Sequence, residues 1–191
     1  MRSMKSVAVL ALVALLTACA GVDFVKPPDD KLVLGSTTKS QVTTLMGEPN
    51  FKGQKVSNGE SVEVNTYAYA QVGGEAVFAG VTPARSVSLL YHNNLLVGKE
   101  YTSSFKADNT YFDPAKARSV KQGMKRSEVI ALVGNPGGEH RYPLVANRSG
   151  KAPVYAFTQT RGFSFQQTVI VVELDERDTV QKIDFNQIGQ Q

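Results

Sequence analysis

The chain has 191 residues and a formal net charge of +4, and it contains a single cysteine and no tryptophan. Without the first 18 residues, 19 basic residues stand against 17 acidic ones, a balance that excludes the concentrated basic face of a nucleic-acid-binding protein. No disulfide can form within a chain that has one cysteine. The length predicts one domain or two small ones.

Residues 1–18 predict a signal peptide. Arg2 and Lys5 provide a basic start, and the apolar run that follows over 7–16 is too short to cross a bilayer as a helix. The sequence Leu-Thr-Ala-Cys, ending at Cys19, then resembles the lipobox of bacterial lipoproteins. That resemblance implies a diacylglycerol on the thiol of Cys19 and an acylated amino group. The alternative is an ordinary free or buried thiol.

Residues 19–31 predict a lipidated tether. About two acyl chains suffice to hold a protein stably at a membrane, and lipoprotein maturation supplies up to three. Ala20 stands where an aspartate would imply retention at the inner membrane, so the resemblance implies the outer membrane of a Gram-negative host, with the protein facing the periplasm. The pair Pro27-Pro28 favours extended backbone.

One short signature occurs twice and predicts a helix each time. Its positions Val42, Leu45, Gly47 and Pro49 recur, 87 residues later in every case, as Val129, Leu132, Gly134 and Pro136. In both copies a polar capping residue opens the helix, an apolar stripe covers one face, and glycine and proline end it. Thr37 or Thr38 is the expected cap of the first copy. A repeat at a constant separation predicts that one structural unit occurs twice.

Alternating strand patterns follow each signature. In the predicted strand 61–71, one face carries Val62, Val64, Thr66, Ala68 and Ala70. The other face carries Tyr67 and Tyr69. The predicted strands are 61–71, 87–91 and 95–101 in the first unit, and 154–160, 168–174 and 179–185 in the second. Each unit therefore predicts a three-stranded antiparallel sheet whose last two strands form a hairpin.

A second helix is expected in front of each signature. Asp113-Pro114 is a typical helix opening, so 115–122 predicts a short helix, and 29–34 predicts a shortened equivalent in the first unit. The expected fold class is α+β, with two tandem units, each of two short helices packed on a three-stranded antiparallel sheet. The boundaries are 32–106 for the first unit and 107–191 for the second.

The doubled signature and its three strands resemble the SmpA/OmlA, or BamE-like, domain. The closer match is Gln-Gly-Met-Lys-Arg-Ser-Glu-Val-Ile-Ala-Leu-Val-Gly-Asn-Pro, which ends at Pro136. The resemblance implies a small outer-membrane lipoprotein domain that faces the periplasm. Two tandem units are also similar to the repeat arrangement of the β-lactamase inhibitor protein. The matching residues are structural, so they indicate fold better than function.

No catalytic or metal-binding pattern occurs in the sequence. The two histidines, His92 and His140, are not spaced for a metal site and are expected at the surface. The glycine-rich stretch 134–138 lacks the lysine and hydroxyl residue of a phosphate-binding loop, and it follows a helix where such a loop would precede one. We expect neither a cofactor nor a metal, and no enzymatic activity.

Two connections are candidate partner-binding elements. Val77 and Phe78 lie in the apolar connection 72–84, and Arg161, Phe163 and Phe165 lie in the corresponding connection of the second unit. Exposed apolar loops and arginine with aromatics are typical of protein contacts. The alternative is that these aromatics cover the core. The free edges of the two sheets could bind a partner strand, or they could join into one continuous sheet.

The expected function is that of a protein-binding or assembly module, anchored in the outer membrane through Cys19. The resemblance implies a role in outer-membrane protein assembly or envelope integrity, with a periplasmic or outer-membrane partner such as a β-barrel assembly complex. The alternative is an inhibitor-like or secretion-system accessory subunit that clamps a partner protein between its two units. No nucleic acid is expected as a partner.

Overall fold

The structure, a computed structural model, describes residues 21–189. Eight strands form a single sheet in which each strand pairs antiparallel with the next along the chain. The strands are β1 (Phe51–Ser57), β2 (Glu60–Ala70), β3 (Ala84–His92), β4 (Leu95–Ser103), β5 (Gly138–His140), β6 (Ala152–Arg161), β7 (Ser164–Leu174) and β8 (Val180–Gly189).

Between residues 21 and 189, three short helices lie on one face of this sheet. They are α1 (Lys39–Met46), α2 (Pro114–Ala117) and α3 (Arg126–Val133). The helices predicted from the doubled signature, α1 and α3, are confirmed: both have eight residues and end at a glycine with positive φ, Gly47 or Gly134. Thr38 caps α1, since its hydroxyl accepts from the Gln41 N–H while the Gln41 side chain accepts from the Thr38 N–H.

The predicted fold class, two units of two short helices on separate three-stranded antiparallel sheets, is wrong. All six predicted strands exist, but each unit has a fourth strand at its start, β1 or β5, and the two sheets are one. β1 was missed because six of its seven residues are exposed, so it has no apolar alternation. β5 has only three residues, too few for a pattern.

The extra helices are also shorter than predicted. α2 spans only Pro114–Ala117, although Asp113 caps it as expected by accepting from the Ala115 N–H. Residues 29–34 form turns and no helix. Leu32 and Leu34 are both buried there, and two residues spaced two apart cannot both face the core from a helix.

The two units join where β4 pairs with β5. We call this pairing the junction; it consists of the Cα pairs Gly98–His140, Lys99–Glu139 and Glu100–Gly138. The connection 71–83 joins the units a second time, because Thr82 donates its N–H to the Thr160 carbonyl on β6. The continuous sheet was one of the alternatives left open by the sequence.

The apolar core lies between the helices and one face of the sheet, which we call the helix face. The first unit contributes Leu32, Leu34, Val42, Tyr67, Val87, Leu89, Tyr91, Leu96 and Tyr101. The second contributes Phe112, Ala117, Val120, Val129, Tyr155, Phe157, Ile170, Val172, Leu174 and Val180. The opposite face, which we call the open face, has only a small cluster of Val62, Leu90 and Val97.

The apolar stripe of the signature reaches the core mainly through one residue. Val42 and Val129 are buried at equivalent positions of α1 and α3. Met46, Leu132 and Val133 are partly buried and pack on the core. Leu45, which also lies on the predicted stripe, is 49% exposed and contributes little to the core.

The predicted tether lies against the first unit over its described part. Phe24 packs on the first core cluster, and its carbonyl accepts a hydrogen bond from Arg85 at 3.3 Å. Asp29 forms an ion pair with Lys99, with Nζ and Oδ1 2.7 Å apart. Cys19 and the predicted signal peptide lie outside the described residues. Within 21–189, the helices are too short or too polar to cross a bilayer.

Candidate protein-binding face

The open face contains a trough that crosses both units. It has a volume of about 670 Å³. Short side chains form most of its floor: Ala68 and Ala70 on β2, Ala84 and Ser86 on β3, Thr102 on β4, and Thr158 and Thr160 on β6. The longer residues Tyr69, Arg85 and, on β7, Gln167 also line the trough.

The strand register explains why these residues meet. Ala68 pairs with Ser86, Ser86 pairs with Thr102, and Thr158 pairs with Gln167, and paired residues project to the same side of a sheet. Alternation along each strand sends the large side chains to the helix face instead. Short side chains on the open face therefore leave space above the sheet.

Two aromatic side chains stand at opposite margins of the open face. Phe51, on the edge strand β1, lines the trough and is 65% exposed. Phe165, on β7, pairs with Thr160 and is also exposed. Exposed aromatics beside a shallow concave surface are typical anchors of protein interfaces.

Hydrogen bonds hold the polar residues of the floor in place. Within the floor, the Thr158 N–H donates to the Thr102 hydroxyl at 3.0 Å. Next to the floor on the same face, Thr66 and Ser88 bond through their hydroxyls at 2.9 Å. Gln167 Nε2 donates to the Thr158 hydroxyl at 3.1 Å. The floor is thus a rigid, weakly polar surface without a nucleophile–base pair, and it is better suited to binding than to catalysis.

A charged pair lies on the same face at the junction. Nε2 of His140 lies 2.8 Å from Oε1 of Glu100, and His140 is 5% exposed, so the expectation of a surface histidine was wrong. Burial opposes ionisation of Glu100, but the hydrogen bond with His140 and the charges of His140 and Lys55 outweigh it and lower the pKa of the carboxyl.

A second cavity, of about 240 Å³, lies between the units on the helix face. Four cations line it (Lys26, Lys99, Arg126 and Arg141), together with Asp29 and Glu139. The hydrogen bond from Lys99 is the main cause that lowers the pKa of Asp29. Arg126 pairs with Glu139 at 3.2 Å. These ion pairs tie the N-terminal segment and α3 to the junction.

The predicted partner residues Val77 and Phe78 are half-buried and pack on the core of the second unit. The Phe78 ring meets Tyr111 edge-on at 4.9 Å between ring centroids and Phe157 at 6.1 Å. These contacts favour the alternative in which the apolar connection covers the core. The connection reaches from the first unit into the second and fastens them together.

The predicted partner residues of the second unit are exposed. Phe163 is fully exposed in the turn between β6 and β7, and Arg161 and Phe165 flank it. Arg161 shares with Phe78 a cavity of about 240 Å³ on the helix face, whereas Phe165 belongs to the open face. The structure therefore does not gather the five predicted residues into one site.

Sequence reasoning did not identify the floor of the trough. The available signal was the run Tyr-Ala-Tyr-Ala at 67–70, in which large and small residues alternate. Such a run places tyrosines on the helix face and leaves space on the other. The described residues contain no group of three or more His, Asp or Glu side chains arranged to hold a metal ion.

Comparison with known proteins shows no family. No family model matches the chain, and no curated protein matches it in sequence. One solved structure is similar, described as a "putative beta-lactamase inhibitor protein" from Streptococcus mutans. It has 10% sequence identity and a TM-score of 0.40 over 82% of this chain and 91% of that chain. A likeness of this size establishes no common fold, and the resemblance to the SmpA/OmlA domain stays a prediction.

Proposed function

We propose that the protein is a non-enzymatic lipoprotein, anchored in the outer membrane through a lipid on Cys19, that binds a protein partner in the periplasm. The observation that carries the proposal is the trough on the open face. It runs across both units, and its floor is short side chains that no helix covers in the described part of the chain.

The composition of the trough favours a protein surface as its occupant. It extends over five strands, and Arg85 is the charged side chain among its lining residues, so it lacks the cluster of converging charged groups that would orient a small polar metabolite. Phe51 and Phe165 stand at its margins, where aromatic residues act as interface anchors. A tethered domain also reaches membrane-bound partners at a raised effective concentration.

We place the role in outer-membrane protein assembly or envelope integrity, with a component of a β-barrel assembly complex as partner. This part of the proposal is supported by the lipobox pattern at Cys19 and by the resemblance of the doubled signature. Binding would proceed by surface complementarity, so no bond is made or broken.

Site-specific photo-crosslinking in intact cells tests the trough. A photoreactive residue at Ser86 or Thr158 should give a discrete crosslinked protein, which mass spectrometry identifies. Thr44 is the matched control, because it is exposed on α1 at the opposite side of the sheet. If the trough positions crosslink no more than Thr44, the trough is not the binding surface.

The variant Cys19→Ser tests the anchor. It should incorporate no radiolabelled palmitate and should leave the membrane fraction. If the variant still carries palmitate and sediments with membranes, the lipoprotein proposal is wrong.

A second candidate function is an inhibitor-like or secretion-system accessory subunit. It is favoured by the position of the trough, which is lined by residues of both units. A soluble periplasmic enzyme or a secretion component in the crosslinked product would select this function over barrel assembly.

A further inference from the structure

Alternate connections of an antiparallel meander lie at the same end of the sheet. One end of this sheet therefore carries the β2–β3 connection, the β6–β7 turn and the C-terminal end of β8. The bridge between Thr82 and Thr160 confirms that the two connections are neighbours. We call this end the loop end.

The described chain begins at the loop end. Gly21 packs on the last part of β2 so closely that a Cβ atom added to it would lie 2.1 Å from the Ala68 carbonyl oxygen. Arg85 then fixes the segment through the Phe24 carbonyl. Cys19 is two residues before Gly21, and two residues span at most about 7 Å. The described chain therefore starts at the loop end, two residues after the proposed lipid-attachment site.

Exposed apolar side chains concentrate at the same end. Phe163 is fully exposed at the tip of the β6–β7 turn, Val72 is 93% exposed in the β2–β3 connection, and Ile188 is exposed near the end of β8. Val22 is exposed next to Gly21. The opposite end has fewer exposed large apolar residues within the described chain: Val56, Leu95 and, in the segment bonded to Leu96, Val33.

We propose that the loop end is a membrane-contacting surface. It rests on the proposed lipid anchor and adds an orientation to it. Phe163 and Val72 enter the boundary between headgroups and acyl chains, and Arg161, which has no carboxylate within 4.0 Å among the described residues, reaches lipid phosphates. The strands then point toward the membrane, and the trough, which reaches Ala70, Ala84 and Thr160 near the loop end, lies close to the membrane surface.

The shape of the loop end favours lipid over a protein partner. Its most exposed apolar side chains, Phe163 and Val72, project from two separate connections and do not line the trough. A fluid bilayer accepts such isolated tips without shape complementarity. The anchor already holds them within reach of the bilayer, so no further binding energy is needed to bring them there.

The lipidated full-length protein in vesicles of phosphatidylethanolamine and phosphatidylglycerol tests this orientation. Because the lipid occupies the only native thiol, Phe163→Cys or Val56→Cys introduces a unique site for an environment-sensitive fluorophore. Phe163 is exposed in a turn and Val56 is exposed near the end of β1, so both variants should have the same melting temperature as the wild type. The label at 163 should show blue-shifted emission and quenching by nitroxide-bearing lipids; the label at 56 should show neither.

The outcomes separate this inference from the proposed function. If the protein is acylated and vesicle-bound but the label at 163 behaves like the label at 56, the orientation is wrong and the anchor stands. If the label at 163 is shielded only after a periplasmic extract is added, the loop end binds protein and the inference fails. If no acyl group is found on the protein, the anchor and the orientation both fail.

Discussion

Nε2 of His140 and Oε1 of Glu100 lie 2.8 Å apart across the junction of the two units. Glu100 belongs to β4 and His140 to β5, the three-residue strand that completes the continuous sheet. Both side chains lie on the open face, because Glu100 pairs with Gly138 and His140 pairs with Gly98. The pair therefore links the units at the point where the pairing between them is shortest.

The first prediction concerns Glu100 and pH. Its folded-state pKa is lowered, so ionised Glu100 contributes stability that is present above its ordinary value of 4.5 and is lost as pH falls through the lower folded-state pKa. Glu100→Gln should lower the free energy of unfolding at neutral pH by about 1–3 kcal/mol, since it weakens a charged hydrogen bond. Urea denaturation as a function of pH measures both effects.

The matched control for Glu100 is Glu75→Gln. Glu75 is exposed and 3.7 Å from Lys106, so its charge is screened by solvent and its loss should leave the unfolding free energy unchanged. Below pH 4.5, Glu100→Gln should lose less stability than the wild type does. Equal losses in the two proteins would show that the junction pair does not cause the acid sensitivity.

The second prediction concerns the fit of β5 against β4. A Cβ atom at Gly138 would lie 1.9 Å from the Lys99 carbonyl oxygen, which is backbone and cannot rotate away. Gly138→Ala should therefore force the strands apart and cost about 3 kcal/mol of unfolding free energy. Gly53→Ala on β1 is the control, because nothing lies within 4 Å of its added Cβ. Equal stability of the two variants would contradict the close approach.

The third prediction separates a structural phenylalanine from an exposed one. Phe78→Ala removes the edge-on contacts with Tyr111 and Phe157 and should cost about 2–3 kcal/mol, less than truncation of a fully buried phenylalanine. Phe163→Ala should change the unfolding free energy by less than about 0.5 kcal/mol. Thermal and urea unfolding of both variants provide the measurement; a stable Phe78→Ala protein would restore Phe78 as a binding residue.

The fourth prediction concerns the repeated helices. Val129 is buried in α3, so Val129→Ala should lower the unfolding free energy by about 2 kcal/mol. Leu45→Ala in α1 should cost less than about 0.5 kcal/mol, since Leu45 is about half exposed. If Leu45→Ala lowers the unfolding free energy by more than this, Leu45 packs on the core, and its exposed position on α1 is wrong.

Local patterns predicted the elements whose signal lies within a few residues. The Thr38 cap, the Gly47 and Gly134 stops and the alternation of β2 each depend on neighbours along the chain. β1 and β5 gave no such signal: one is an exposed edge strand, and the other is three residues long. The prediction of Cys19 as a lipid-attachment site concerns a residue outside the described part of the chain.

The candidate site could not be read from the chain because its parts are distant in sequence. Ala68 and Thr158 share the trough through a register that runs across five strands, and a one-residue shift would turn the short side chains to the other face. Val77 and Phe78 lie in a connection, and their burial depends on the core of the other unit, where the Phe78 ring contacts Tyr111 and Phe157.

The doubled signature was readable from sequence because capping and periodicity act over one or two helical turns: it predicted two equivalent helices, 87 residues apart, each followed by antiparallel strands. The joining of the two units into one sheet, in contrast, depends on contacts between residues that are distant in sequence. It requires the edge of β4 to meet β5, with glycine at position 138 to admit the Lys99 carbonyl. Hydrogen bonding between β4 and β5 closed the two sheet edges at the junction. The described helices all pack on the helix face, so the open face, where the proposed binding surface lies, stays uncovered.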